Sequence, residues 1–229
     1  MKRKIAQGNA NARIAEYRET IAWLWGFAIF AVAIWSTRDR AFGDLGLELS
    51  LSWGFWIGLA VTAAVIVFFA GQIQYIRRDA EARKKVREQL GQTTPMIPHT
   101  LAELRVFFFL SITAGICEEI VYRGFLIWYF GEHLAAAGIT GATATALAWL
   151  LSTLVFGFAH IYLGTAGALR AGIMGGLFGG GYLLTGSLWV PMILHAAVDI
   201  ASGWTGYLAC QDVPAEDGGL EAPNPADAT

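Results

Sequence analysis

Three ionisable side chains, Glu118, Glu119 and Arg123, stand inside the otherwise apolar stretch 116–126. A charge at mid-bilayer costs roughly 2.5 to 3.5 kcal/mol on insertion scales, so such groups face a bundle interior or a wet cavity and pair with something. Glu119 and Arg123 are four residues apart, which stacks them on one helical face as an ion pair. Glu118 lies about 100° round the helix, free to point elsewhere. The division of labour this predicts is a structural pair, Glu119 with Arg123, and a second carboxylate, Glu118, presented to a cavity. His195 and Asp199 repeat the four-residue spacing on a later apolar segment, and Phe156 and His160 on the one between. A carboxylate beside an imidazole in a low-dielectric pocket can take a proton from water and return it. Water attacking an amide also needs donors for the oxyanion, a task that suits His195 and its neighbour at 199.

The elements that must position these groups are membrane helices. Of 229 residues, 55% are hydrophobic and 15% charged, too apolar a balance for a soluble domain of this size. The expected fold class is all-α: a polytopic helix bundle of about six transmembrane helices, with seven or eight as alternatives, around a polar intramembrane cavity. Hydrophobic runs occupy 21–35, 52–76, 101–130, 141–160, 165–185 and 187–208, punctuated by Gly164 and by Thr185, Gly186 and Ser187. The 101–130 stretch fits one tilted helix or two shorter ones, which leaves the side of the C-terminus open. Three regions follow: 1–100, two spans and a basic loop; 101–208, the catalytic bundle; and 209–229, an acidic tail expected to be disordered.

Of the 16 Lys and Arg, all but Arg123 and Arg170 lie at or before Arg105. Lys2, Arg3, Lys4, Arg13 and Arg18 precede the first span, and Arg77, Arg78, Arg83, Lys84, Lys85 and Arg87 follow the second. Two spans separate these clusters, so both lie on one side, the cytoplasmic one by the positive-inside rule. The expected location is the cell inner membrane, multi-pass, with the N-terminus and the 77–103 loop in the cytoplasm. Ala31-Val32-Ala33 imitates a signal-peptidase site, but the long polar leader and Trp23, Trp25 and Trp35 suit a retained anchor. The cations flank apolar segments and form no nucleic-acid face. The 77–92 run reads as a helix projecting into the cytoplasm with solvated charges.

Several groups carry an ordinary structural reading. Cys117 and Cys210 make no disulfide framework, and apolar neighbours leave Cys117 inert. Ser111 and Ser152 bond to their own helix backbone. Gly172, Gly176 and Gly180 recur every four residues, the spacing that lets membrane helices approach closely. His99 and His133 sit at segment ends. No Gly-x-Ser-x-Gly or His-Glu-x-x-His is present.

Taken in order, Glu118-Glu119-x-x-x-Arg123, Phe156-x-x-x-His160 and His195-x-x-x-Asp199 resemble the motifs of the CPBP family of intramembrane proteases, also called Abi or CAAX prenyl protease 2-like, over about residues 100–208. The resemblance implies that Glu118 and His160 activate the attacking water while His195 and residue 199 stabilise the oxyanion, with Glu119, Arg123 and Phe156 in support. Asp199 stands where many members have Asn. An ionised Asp repels an oxyanion, so it is protonated, orients His195 or helps hold a metal.

The leading expectation is an intramembrane endopeptidase, glutamic in type and without a cofactor, acting on a peptide or membrane-protein substrate in the lipid bilayer. A metal-dependent alternative uses Glu118, His160 and His195 as zinc ligands with an open position for water. Other classes are a non-catalytic immunity or scaffold protein and a proton-coupled transporter. The latter usually shows internal repeats, and none is found here. Sequence assigns neither substrate identity nor oligomeric state. The family precedent is prenylated C-terminal peptides, whereas short loops point to a prokaryote, where peptide precursors, sorting tails or anchored regulators are further candidates.

Overall fold

The computed structural model describes residues 10–38, 40–49 and 51–211. The expected disorder of the acidic tail falls on residues 212–229, outside the described part, as do Lys2, Arg3 and Lys4.

Every described element is helical. Helix α1 (Ala10–Ser36) takes in the second half of the polar leader as well as the first apolar run. A short loop with a 3-10 turn at Gly43–Leu45 leads to α2 (Trp53–Arg78), whose first turn is capped by the Ser52 hydroxyl accepting from the Phe55 amide at 3.2 Å. Asp79 ends α2 and starts α3 (Ala80–Leu90), its carboxylate accepting from the amides of Glu81 and Ala82. After a 3-10 segment (Gly91–Met96), Thr100 and Glu103 form a reciprocal capping box at the head of α4 (Leu101–Glu119). The chain stays helical through a π segment (Ile120–Leu126) into α5 (Ile127–Ala136). This resolves the 101–130 stretch as one continuous helical run with a widened turn just after the paired glutamates. Helices α6 (Gly141–Ala159), α7 (Gly164–Thr185) and α8 (Trp189–Cys210) complete the bundle. Gly186 closes α7 in the left-handed region, φ 67°, where a side chain would be strained.

Four segments are long and apolar enough to cross a membrane by length and composition: Asn11–Ser36, Trp53–Arg78, Gly141–Ala159 and Ile161–Thr185. Helices α4 and α8 are not among them, and these carry the glutamates and the His195–Asp199 pair. They pack along each other, turning those groups inward. Outward-facing Trp53, Val67, Phe158 and Leu184 are largely exposed, as lipid-facing residues are. The chain is a multi-pass membrane protein.

The region before residue 100 lies directly on the motif-bearing helices: α1 packs on α4 and the π segment, α2 on α8. A core of Ala28, Ala31, Trp35, Leu45, Cys117, Ile120, Leu188 and Met192 joins the two parts, and buried Cys117 takes the structural place expected of it. Leu45 fills the notch at Gly124, where a Cβ would come within 3.0 Å of the leucine Cγ.

Two expectations change. Of the basic run, Arg83 Nη1 donates to the carbonyls of Ile76 and Arg77 at the end of α2, and Arg87 Nη1 to Ala209 O at the end of α8. These two cations hold helix ends, while Arg77, Arg78, Lys84 and Lys85 are exposed. The Arg87 bond, with Gln211 Nε2 donating to His99 O, places the C-terminal end of α8 beside the basic segment. Second, one cation that the sequence places before the first span is itself buried: Arg13 Nε meets Glu103 Oε1 at 3.0 Å with both side chains buried. The other oxygen of Glu103 accepts from the amides of His99 and Thr100. Breaking a buried pair leaves an uncompensated charge, so Arg13→Ala should destabilise the protein by about 3 to 5 kcal/mol, read by thermal unfolding in detergent. An unchanged midpoint would contradict the role assigned to this pair.

Candidate active site

Glu119 is the hub. Its Oε1 accepts from Arg123 Nη1 at 2.9 Å and from His195 Nδ1 at 2.8 Å, and all three side chains are buried. The i,i+4 pair is thus formed as the spacing predicts, but Glu119 also reaches α8 and orients His195, a role the sequence did not disclose. A carboxylate oxygen accepts only, so Nδ1 carries the proton, and Nε2 is turned to the remaining acids. Glu118 Oε2 lies 3.9 Å and Asp199 Oδ2 3.7 Å from that nitrogen. Of the roles considered for Asp199, orienting the ring through Nδ1 therefore belongs to Glu119 instead.

Arg123 is held on every side. Nη2 donates to Gly175 O at 2.9 Å, and the guanidinium lies 4.4 Å from the centre of the Phe156 ring and 5.6 Å from that of Phe178. Phe178 stacks on His195 at 4.9 Å and 25°, and Phe156 meets it edge-on at 6.1 Å. Phe156, Phe178 and Arg123 thus form the walls that keep the Glu119–His195 bond away from lipid and water.

His160 closes the C-terminus of α6, its Nδ1 donating to Phe156 O at 2.8 Å and its ring 4.5 Å from that of Phe156. It lies within Coulomb range of Glu118 and Asp199. The structure therefore brings Glu118, His160, His195 and Asp199 into one electrostatic neighbourhood, and Glu119, Arg123 and Phe156 behind them. Glu118 Oε2 is buried and has no hydrogen-bond partner among the described residues. Among the described residues no group of three or more His, Cys, Asp or Glu is arranged to hold a metal ion.

Close backbone approach sets the register. At Gly115, one turn before Glu119, a Cβ would lie 2.8 Å from Met192 O and 2.9 Å from Ala196 N, so α4 and α8 meet through a residue without a side chain. At Gly175 it would lie 2.7 Å from Phe156 Cδ1 and 3.0 Å from Arg123 Nη2. Of the glycine row read from sequence, Gly172 and Gly176 pack on α6, whereas Gly180 faces nothing within 4 Å. Ser152 also departs from expectation: its hydroxyl donates to Tyr122 O in the π segment, tying α6 to α4, while Ser111 bonds to its own helix at Phe107 O. An apolar groove of about 1290 Å³ between α2, α6, α7 and α8 runs up to this site, with Phe178, Leu194 and Val198 in its wall.

Gly175→Ala should then displace Phe156 or Arg123 and lower stability by about 1 to 3 kcal/mol in thermal unfolding. Gly180→Ala, with open space around it, should be neutral or stabilising by up to about 1 kcal/mol. Equal effects at the two positions would refute the packing described.

No curated protein and no solved structure matches the chain significantly. Residues 100–201 match the family described as Type II CAAX prenyl endopeptidase Rce1-like, and the match contains all seven side chains assembled above. Over this stretch the chain is similar to that endopeptidase family, in agreement with the resemblance carried by its three motifs.

Proposed function

We propose that the protein is an intramembrane endopeptidase that hydrolyses a peptide bond of a membrane-associated or peptide-precursor substrate by direct attack of water. The observation that carries this reading is the convergence of Glu118 and Asp199 on His195 Nε2, at 3.9 and 3.7 Å, with His160 in electrostatic range. These groups come from three helices of a membrane bundle.

In this mechanism Glu118 takes a proton from water, helped by His160. With Nδ1 engaged by Phe156 O, His160 presents Nε2 to the pocket as an acceptor. Water oxygen adds to the scissile carbonyl, and His195, held by Glu119, faces the developing charge. Collapse breaks the C–N bond, and the departing nitrogen receives the proton from Glu118. Asp199, at the rim of the same imidazole, balances its charge when protonated. The reaction so written needs no metal.

The apolar groove against Phe178 suits a substrate that arrives from the bilayer, and the similarity to CAAX prenyl endopeptidases makes a prenylated cysteine peptide the first to try. We read six crossings, α1, α2, α4 with α5, α6, α7 and α8, in a bacterial inner membrane. The N-terminus and the basic 77–103 segment are on the cytoplasmic side.

Cleavage is best followed on a fluorogenic peptide tethered to liposomes, either through a prenylated cysteine or through an apolar helix. Glu118→Gln and His160→Ala should each lower kcat at least about 10²-fold while the protein still inserts. Full activity in both would end the proposal. Chelator treatment should leave the rate unchanged, and a loss restored by zinc would move the reading to the metal-dependent form.

A further inference from the structure

Resting on that reading, the site has one shortage: groups able to donate to an oxyanion. Glu118 and Asp199 accept when ionised. His160 Nδ1 is engaged with Phe156 O, leaving Nε2 as an acceptor in the neutral ring. Arg123, the strongest donor nearby, is buried and bonded to Glu119 and Gly175 O. His195 donates to Glu119 through Nδ1 and offers a second donor only when Nε2 is protonated. A negative oxygen forming between two acids needs more than this.

Tyr162 has the chemistry and the place. It lies two residues beyond His160 on the 3-10 turn Ile161–Leu163, with its ring stacked on the His160 ring at 5.8 Å and 29°. Its side chain shares a field with Glu118, Asp199 and Tyr122. Its hydroxyl has no hydrogen-bond partner among the described residues, and the residue is 52% exposed. Tyr122, the other phenol near Glu118, is set deeper, beside Arg123 and edge-on to Phe156, and Asp199 is not among its charged neighbours.

We propose that Tyr162 is a catalytic residue of this site, its hydroxyl donating to the oxygen that becomes negative when water adds to the scissile carbonyl. As the new C–O bond forms, the carbonyl electron pair moves onto that oxygen and the water proton goes to Glu118. Tyr162 O–H donates without losing its proton. When the C–N bond breaks, the electron pair returns to re-form the carbonyl, and the hydrogen bond weakens again.

The test compares wild type, Glu118→Gln and Tyr162→Phe on the tethered peptide, together with binding of a peptide in which a phosphinate replaces the scissile amide. Tyr162→Phe removes one oxygen from a half-exposed ring and should fold normally. It should lower kcat about 10²-fold, leave KM within about twofold, and weaken the phosphinate peptide by a similar factor. A purely structural tyrosine would lower the unfolding midpoint or raise KM without that selective loss. If wild type cleaves, Glu118→Gln does not, and Tyr162→Phe keeps kcat and phosphinate affinity within about threefold, this inference fails and the proteolytic reading stands. If wild type cleaves no better than Glu118→Gln, both fall.

Discussion

The structure depends on one buried oxygen. Glu119 Oε1 receives an arginine from its own helix and an imidazole from α8. In a membrane interior a lone carboxylate is expensive, and two charge-assisted bonds answer that expense. The same two bonds join α4 to α8 and aim His195 Nε2 at Glu118 and Asp199. Charge compensation and positioning are therefore one arrangement, and a change at Glu119 acts on both.

Small residues make that arrangement reachable. Gly115 lets α4 and α8 meet backbone to backbone one turn from the bond, and Gly175 leaves room for Phe156 and the Arg123 fork against α7. A methyl group at Gly115 would meet backbone atoms at under 3 Å, which the bundle could accommodate only by moving a helix, and one at Gly175 would push the Phe156 ring or the Arg123 guanidinium aside. The π segment widens the helix just beyond the glutamates. There Tyr122 O receives the Ser152 hydroxyl, and Gly124 admits Leu45 from the loop between the first two helices. The region before residue 100, outside the family match, thus supports the segment that bears the acids.

The far end of the bundle is fixed by a second set of polar bonds. Arg13 with Glu103, Tyr17 OH with Met96 O, and Arg87 with Ala209 O fasten α1, α3 and α8 around the start of α4. Ionised groups at this level act as clasps for helix ends, whereas those near His195 line a pocket. Burial alone does not separate the two kinds. What separates them is whether every oxygen is bonded: both oxygens of Glu103 are, while Glu118 Oε2 is not.

Local spacing determined much of this. The apolar runs have the length of membrane helices, Glu119 and Arg123 are one turn apart, and three motifs on separate segments name their own members, because helical periodicity and hydropathy are properties of neighbouring residues. Which nitrogen of His195 meets which carboxylate, that Ser152 bonds across to Tyr122, that Gly175 and Phe178 belong to the site, and that Arg13 is buried were decided only in three dimensions. Several of those contacts join residues 30 to 90 positions apart, such as Ser152 with Tyr122 and Arg13 with Glu103, and they arise from how helices cross. No pattern along a single helix encodes a crossing point, since it depends on the side chains that both partners lack as much as on those they carry.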